Sequence, residues 1–427
     1  MKPSPHLPKI RVFAAFLILI VLILASPLAT LVDGNVMVGI EASMMALATA
    51  LVAGKSGPAQ AKSWPELSGL AVVVPLIPAL WMMIQVLPLG YLGIANPVWQ
   101  TTQQALGHAV VGSIAIDTGA GILGVIQYIA ALAIVVVAMA ATLERSKADR
   151  LLFALMVATT IICLPIAELW SSLVVRNVGV LGVLLAVTAA IRAFERSQSS
   201  PTYSQSKLLL SIFVSIASVA ICGSALAMHW TGNVGFSLAL ALTVVLSIAF
   251  TRRHGVGNWG ATAFAAIVLT VAIAIVSIRY GGRALDVMTA FSDDEALAAI
   301  TRPILADAPW YGSGPRSFET LVNLYQQPAD LMRVTTASTA AAKIAIELGR
   351  PMLWILSGAT LLVIVALVRG ALRRGRDSFY PALGAGSVIA LLIASFANAG
   401  VFTPAVSIVA AAIVGLGLAQ SSGRTPR

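Results

Sequence analysis

Charge is what this chain has least of. Only 10% of its 427 residues are Asp, Glu, Lys or Arg, against about 25% in a soluble domain, which excludes a fold surrounded by water. Cysteine is nearly absent: Cys163 and Cys222 are the only two, both inside apolar runs, and there are four histidines. No Cys/His spacing marks a metal site, so the cysteines read as small packing residues. The basic side chains form no stripe with interleaved aromatics, so a pI near 10.0 does not point to nucleic acid.

Apolar residues fill the gap. They make up 59% of the chain, and the mean hydropathy is +0.93. A run of roughly 20 such residues crosses the hydrocarbon of a bilayer. About twelve transmembrane helices are predicted on that length rule, over residues 12–31, 35–54, 67–87, 119–142, 150–170, 177–194, 207–228, 235–250, 259–278, 351–368, 380–398 and 403–420. The chain reads as an all-α polytopic membrane protein, one integral membrane domain over 1–427. Its first run exceeds a signal-peptide core and leads into a second, so it is taken as an uncleaved span.

The basic residues orient these spans. All but eight of the 27 lysines and arginines fall in alternate gaps: before span one, after spans two, four, six, eight and ten, and after span twelve. Lys and Arg mark cytoplasmic loops, so both termini are expected in the cytoplasm. The eight exceptions are Arg176, Arg279, Arg283, Arg302, Arg316, Arg333, Lys343 and Arg350, and all but Arg176 lie in one outward loop, 279–350. The other long outward connection, 88–118, has no Lys or Arg and reads as an interfacial segment with Trp99 at headgroup depth. Trp230, Trp310 and Trp354 belong to the same aromatic belt, and the Ser197–Ser206 stretch SQSSPTYSQS is a polar linker on the inner side.

Carboxylates inside apolar runs cost about 2.5–3.5 kcal/mol at a helix centre. Glu41 and Glu168 are the two instances, and either is expected to pair with Arg176. Among the histidines, His229 stands at the outward end of span seven, the better position for a proton acceptor than His108. In the large loop, Ser292 and Glu295 predict a capped helix start, with the helix ending near Pro303 or Asp307. Pro309–Phe318 (PWYGSGPRSF) follows. Glycines before a helix allow positive φ, and such a turn can present backbone N–H groups to an anion, although on the glycines alone a plain loop is the preferred reading. Residues 335–349 predict a short helix with Lys343 and Glu347 one turn apart.

The order of these pieces resembles the O-antigen ligase and O-antigen polymerase (Wzy-like) superfamily of bacterial inner-membrane glycosyltransferases. The likeness is carried by Gln85–Leu89 with Asn96-Pro97, by Ser113–Thr118, by Arg176-Asn177, by Pro309–Phe318, and by Glu347–Gly349 with Ser395–Pro404. It implies a multi-pass inner-membrane protein of surface polysaccharide (lipopolysaccharide or exopolysaccharide) biosynthesis. In that family a polyprenyl-diphosphate-linked glycan lies under the large periplasmic loop. Arginines hold the diphosphate, a histidine before the loop's last helix activates the acceptor, and no metal or cofactor takes part.

The resemblance implies specific residues. Arg176, Arg279, Arg283 and Arg316 would hold the diphosphate, with Tyr311, Gly312 and Gly314 in the turn beside it. The family histidine falls on Ser338, which leaves His229 or Glu347 as the base and Ser338 as at most a hydrogen-bonding partner. The implied partners are the lipid-linked glycan, the bilayer and other polysaccharide-assembly proteins, with no nucleic acid. Two other readings accompany this one: a non-catalytic subunit of a polysaccharide assembly complex, and a transporter of lipid-linked glycan. The transporter ranks last, because no paired halves or broken spans are visible.

Overall fold

The computed structural model describes residues 7–30, 32, 34–53, 74–164, 171–199, 205–253, 288–325, 334, 336–373 and 377–422. No strand occurs among them. Backbone removed from water must satisfy its own N–H and C=O groups, and a helix does so within one segment. The helices are α1 (Leu7–Ala25), α2 (Gly34–Ala53), α3 (Leu76–Val86), α4 (Val98–Leu106), α5 (Thr118–Ala141), α6 (Arg145–Ile162), α7 (Ser172–Ser199), α8 (Gln205–Met228), α9 (Gly232–Arg253), α10 (Glu295–Asp307), α11 (Phe318–Tyr325), α12 (Ala340–Glu347), α13 (Arg350–Arg373), α14 (Phe379–Ala397) and α15 (Pro404–Ser422).

Among the described residues, nine helices are long and apolar enough to cross a membrane: α1, α2, α5, α7, α8, α9, α13, α14 and α15. They coincide with predicted spans one, two, four, six to eight and ten to twelve. Of the third predicted span, 67–87, only the 11-residue α3 is described. The ninth, 259–278, and the end of the fifth, 165–170, lie outside the described residues. α6 starts five residues earlier than the apolar run suggests, because the Glu144 carbonyl accepts the N–H groups of Lys147 and Ala148 at 3.1 and 3.0 Å.

α7, α14 and α15 form the middle of the bundle. Between 67% and 78% of their spanning windows is buried, against 22% for the peripheral α8 and α13. Helices in lipid gain little from apolar burial against one another and rely on close packing. Small residues permit it: a Cβ on Gly415 would lie 2.5 Å from the Val135 carbonyl of α5, and one on Gly182 would lie 2.6 Å from Cys222 Sγ of α8. Both cysteines are buried in this apolar core, in keeping with packing roles.

The two ends of the bundle differ. At one end Asp149 of α6 forms an ion pair with Arg192 Nε of α7 at 2.7 Å, accepts Arg196 Nη2 of α7 at 2.5 Å, and also accepts the Tyr380 hydroxyl of α14. Arg145 pairs with Asp377 nearby at 2.5 Å. At the other end α10, α11 and α12 enclose a small core of Met288, Ile304, Phe318, Val322 and Ile346 against Leu353 of α13. The α10 cap is Asp294, which accepts Leu297 N–H at 3.1 Å. Ser292, the predicted cap, instead accepts Asp294 N–H at 3.2 Å. The helix runs through Pro303 to Asp307. α12 begins only at Ala340, capped by Thr339. Connection 88–118 folds back on itself: α4 has no buried residue, and the Trp99 indole donates to the Ala115 carbonyl at 3.1 Å.

Candidate functional site

The turn at 309–318 is the knot of the loop-bearing end. Gly312 and Gly314 have φ of +87° and +102°, values that favour glycine. A Cβ on Gly312 would stand 2.4 Å from the Glu347 carbonyl, and one on Gly314 would stand 2.5 Å from Ala115 Cβ. That close approach lets Ser313 N–H reach the Ile346 carbonyl and Gly314 N–H reach the Glu347 carbonyl, both at 2.9 Å. Ile116 N–H donates to the Ser313 carbonyl at 3.0 Å. Gln85 of α3 completes the tie, its Nε2 donating to the carbonyls of Tyr311 at 2.8 Å and Glu347 at 3.2 Å. Four stretches far apart in sequence, near 85, 115, 313 and 347, thus meet at one point.

The anion expected at this turn is the chain's own. Glu347 Oε1 accepts Phe318 N–H, the first of α11, at 3.4 Å, and Lys343 Nζ lies 3.8 Å from the same oxygen. Burial pushes the Glu347 carboxyl above its ordinary value. The Lys343 charge and the N–H groups of Arg316 and Phe318 pull the other way without cancelling it.

Arg316 differs from its neighbours. It holds a left-handed backbone, φ +57°, which costs a non-glycine residue about 1 kcal/mol or more. Its stem packs against Gly124 of α5, where a Cβ would stand 3.3 Å from Arg316 Cγ, and its Nη1 donates to Asn35 Oδ1 of α2 at 2.9 Å. No carboxylate among the described residues pairs with it. Arg176, by contrast, is neutralised. Its Nη1 donates to Asp293 Oδ2 at 3.2 Å, and Asn233 Nδ2 donates to the other oxygen at 2.9 Å. The expected pairing with Glu41 is therefore corrected: Arg176 is taken by Asp293, while both Glu41 carboxyl oxygens are buried without a hydrogen-bond partner among the described residues. Glu168 lies outside the described residues.

A second polar group adjoins the Arg176 pair. Asn177 Nδ2 and Gly400 N–H both donate to Asn398 Oδ1 at 3.0 Å, and Ala340 N–H donates to the Asn398 carbonyl at 3.1 Å. A void of about 10 Å³ among Asn177, Asn233, Ser237 and Asn398 has room for one water. A larger hollow, about 400 Å³ and almost wholly apolar, lies between α3 and α13, lined by Leu80, Trp81, Ile84, Tyr311, Pro351 and Met352 under Trp310.

No family model matches this chain, and no curated protein does.

The remaining predicted residues are scattered. Arg279 and Arg283 lie outside the described residues. His229 is half-buried at the end of α8, one turn before Asn233, which holds Asp293. Ser338 is buried between α10 and α12: its N–H donates to Thr301 Oγ1 at 3.1 Å, and its hydroxyl has no partner among the described residues. Tyr311 lines the hollow, and Gly312 and Gly314 shape the turn. Sequence reading did not assign Asp293, Asn233 or Asn398 to the site. The one local signal was an acidic run before a helix, and it was spent on capping.

Proposed function

We propose that this chain acts on polyprenyl-diphosphate-linked glycans in surface polysaccharide biosynthesis, as an O-antigen ligase- or polymerase-like glycosyltransferase of the bacterial inner membrane. In this reading the chain has twelve spans, cytoplasmic termini and loop 279–350 in the periplasm. The observation that carries it is Arg316: a strained, partly exposed guanidinium without a carboxylate partner, held at the loop-bearing end of α2 and α5. An arginine fork suits a diphosphate, and backbone strain is retained where function requires the geometry. Tyr311, five residues earlier, lines an apolar hollow of about 400 Å³, a setting for part of a polyprenyl chain.

The chemistry asked of the chain is limited. The acceptor hydroxyl forms a bond to the anomeric carbon, the bond from that carbon to the diphosphate oxygen breaks, and the diphosphate leaves with the electron pair while Arg316 offsets its charge. The hydroxyl proton goes to a base. Of the two candidates, Glu347 is engaged with Phe318 N–H and Lys343, so it serves to position the Arg316 turn, which leaves His229, at the end of α8, as the candidate base. Ser338 supports the fold between α10 and α12.

A non-catalytic subunit of a polysaccharide assembly complex is the second reading. The absence of the family histidine at Ser338 favours it. Purified protein supplied with polyprenyl-diphosphate glycan and an acceptor separates the two. Turnover that is lost in Arg316→Ala supports the enzyme. No turnover by the purified wild type rejects the enzyme in favour of the subunit.

A further inference from the structure

Glu41 presents a problem that the glycan reading does not touch. It lies in the spanning helix α2, six residues and so about 9 Å along the helix from Asn35. Its side chain is 0% exposed, and neither carboxyl oxygen has a hydrogen-bond partner among the described residues. It belongs to the buried stripe Met37, Val38, Glu41, Met45, Ala48 and Val52, which faces the bundle core. Its position is therefore not that of a side chain reaching for the headgroups.

Among the described residues, the elements packed on α2 offer nothing to neutralise a carboxylate. These are α1, α5, α15 and the 3-10 turn Ser26–Thr30. In α1 the ionisable residues are Lys9 and Arg11, both at the end remote from that turn. In α5 there is only Tyr128, whose hydroxyl donates to the Pro75 carbonyl at 2.9 Å. The turn and α15 contain no ionisable residue. Arg316, the cation that reaches α2, is bound to Asn35 in the first turn of that helix. An ionised carboxylate without a paired cation or hydrogen-bond donor costs far more to bury than its neutral acid.

We propose that Glu41 is a proton-binding site within the membrane, carrying its proton as a neutral carboxylic acid at neutral pH. Release of that proton requires water or a cation to enter between α1, α2 and α5. Proton release and local opening of the bundle are then one event, and intramembrane carboxyls that face a protein interior commonly mark proton pathways.

Infrared difference spectroscopy of the purified protein in lipid at neutral pH, wild type against Glu41→Gln, tests this directly. The expected result is a carbonyl stretch of a neutral carboxylic acid, shifted by deuterium exchange and lost in Glu41→Gln. Loss of carboxylate stretches instead, or no neutral-acid band assignable to Glu41, overturns it. Should Glu41→Gln fail to fold, lipid-soluble dicyclohexylcarbodiimide tests the wild type. The acid proton moves to a carbodiimide nitrogen and the carboxyl oxygen bonds to the central carbon. An oxygen-to-nitrogen acyl shift then leaves a stable N-acylurea, with the whole reagent retained. Mass spectrometry should find that adduct on Glu41 and none from a water-soluble carbodiimide. An absent adduct, or equal modification by the water-soluble reagent, contradicts the proposal.

Discussion

Glu347 Oε1 accepts the backbone N–H of Phe318 at 3.4 Å, and so a buried carboxylate occupies the helix start that a turn of this kind offers to an anion. The Arg316 turn is built around this contact. Replacing Glu347 with alanine leaves buried N–H groups without an acceptor, a loss of about 1–3 kcal/mol. Thermal unfolding in detergent should register it, whereas Glu347→Gln, which keeps an acceptor oxygen, should lose less.

The same carboxyl makes stability depend on pH. Its folded value lies above the ordinary 4.5, so the folded chain holds this proton more tightly than the unfolded chain. Its stabilising contribution is whole below 4.5 and is lost as pH rises through the raised folded value. The melting temperature of the wild type should therefore fall relative to Glu347→Gln across that window and run parallel to it above. A difference that stays constant with pH would remove burial as the governing cause.

Gly312 and Gly93 share a left-handed backbone but not their surroundings. A Cβ on Gly312 meets the Glu347 carbonyl at 2.4 Å, while one on Gly93 meets nothing within 4 Å. Gly93→Ala is expected to cost only the conformational strain, about 1 kcal/mol. Gly312→Ala adds a backbone clash and should give little folded protein on size-exclusion chromatography. Equal behaviour of the two would contradict the tie between 312 and 347.

Asp293 is 4% exposed beside Arg176 at 17%. Breaking a buried pair from one side costs about 3–5 kcal/mol, because the other charge is left alone. Arg176→Ala should therefore destabilise by that order, and the double variant Arg176→Ala/Asp293→Asn should recover much of the loss. A double-mutant cycle with no coupling would make the pair incidental.

The long helices were legible because hydropathy acts over whole spans, and the described long helices fall where those runs lie. The polar ends were not, because their partners are remote in sequence. Arg176 and Asp293 are 117 residues apart, and Gln85 reaches Tyr311 across 226. Local pattern drew attention to the glycines of the 309–318 turn, yet gave no hint that Glu347 would fill the anion position. It also suggested an ion pair for Glu41, where the described residues supply no partner. Helix caps shifted for a smaller reason: Asp294 and Ser292 compete for adjacent N–H groups, and the carboxylate takes the helix start.

Arg316→Gly separates folding from function. Glycine relieves the left-handed strain of about 1 kcal/mol, offsetting the lost Asn35 hydrogen bond of similar size. The melting temperature should change little while glycan turnover disappears.

The most direct test of the account is equilibrium binding of a polyprenyl-diphosphate glycan to the purified protein, wild type against Arg316→Ala. Hydrogen bonds to a charged group are worth about 1.5–3 kcal/mol, so Kd should rise roughly ten- to hundredfold in a variant that unfolds like the wild type. Equal Kd values in the two proteins would contradict the assignment of Arg316 to the diphosphate, and with it the proposed function.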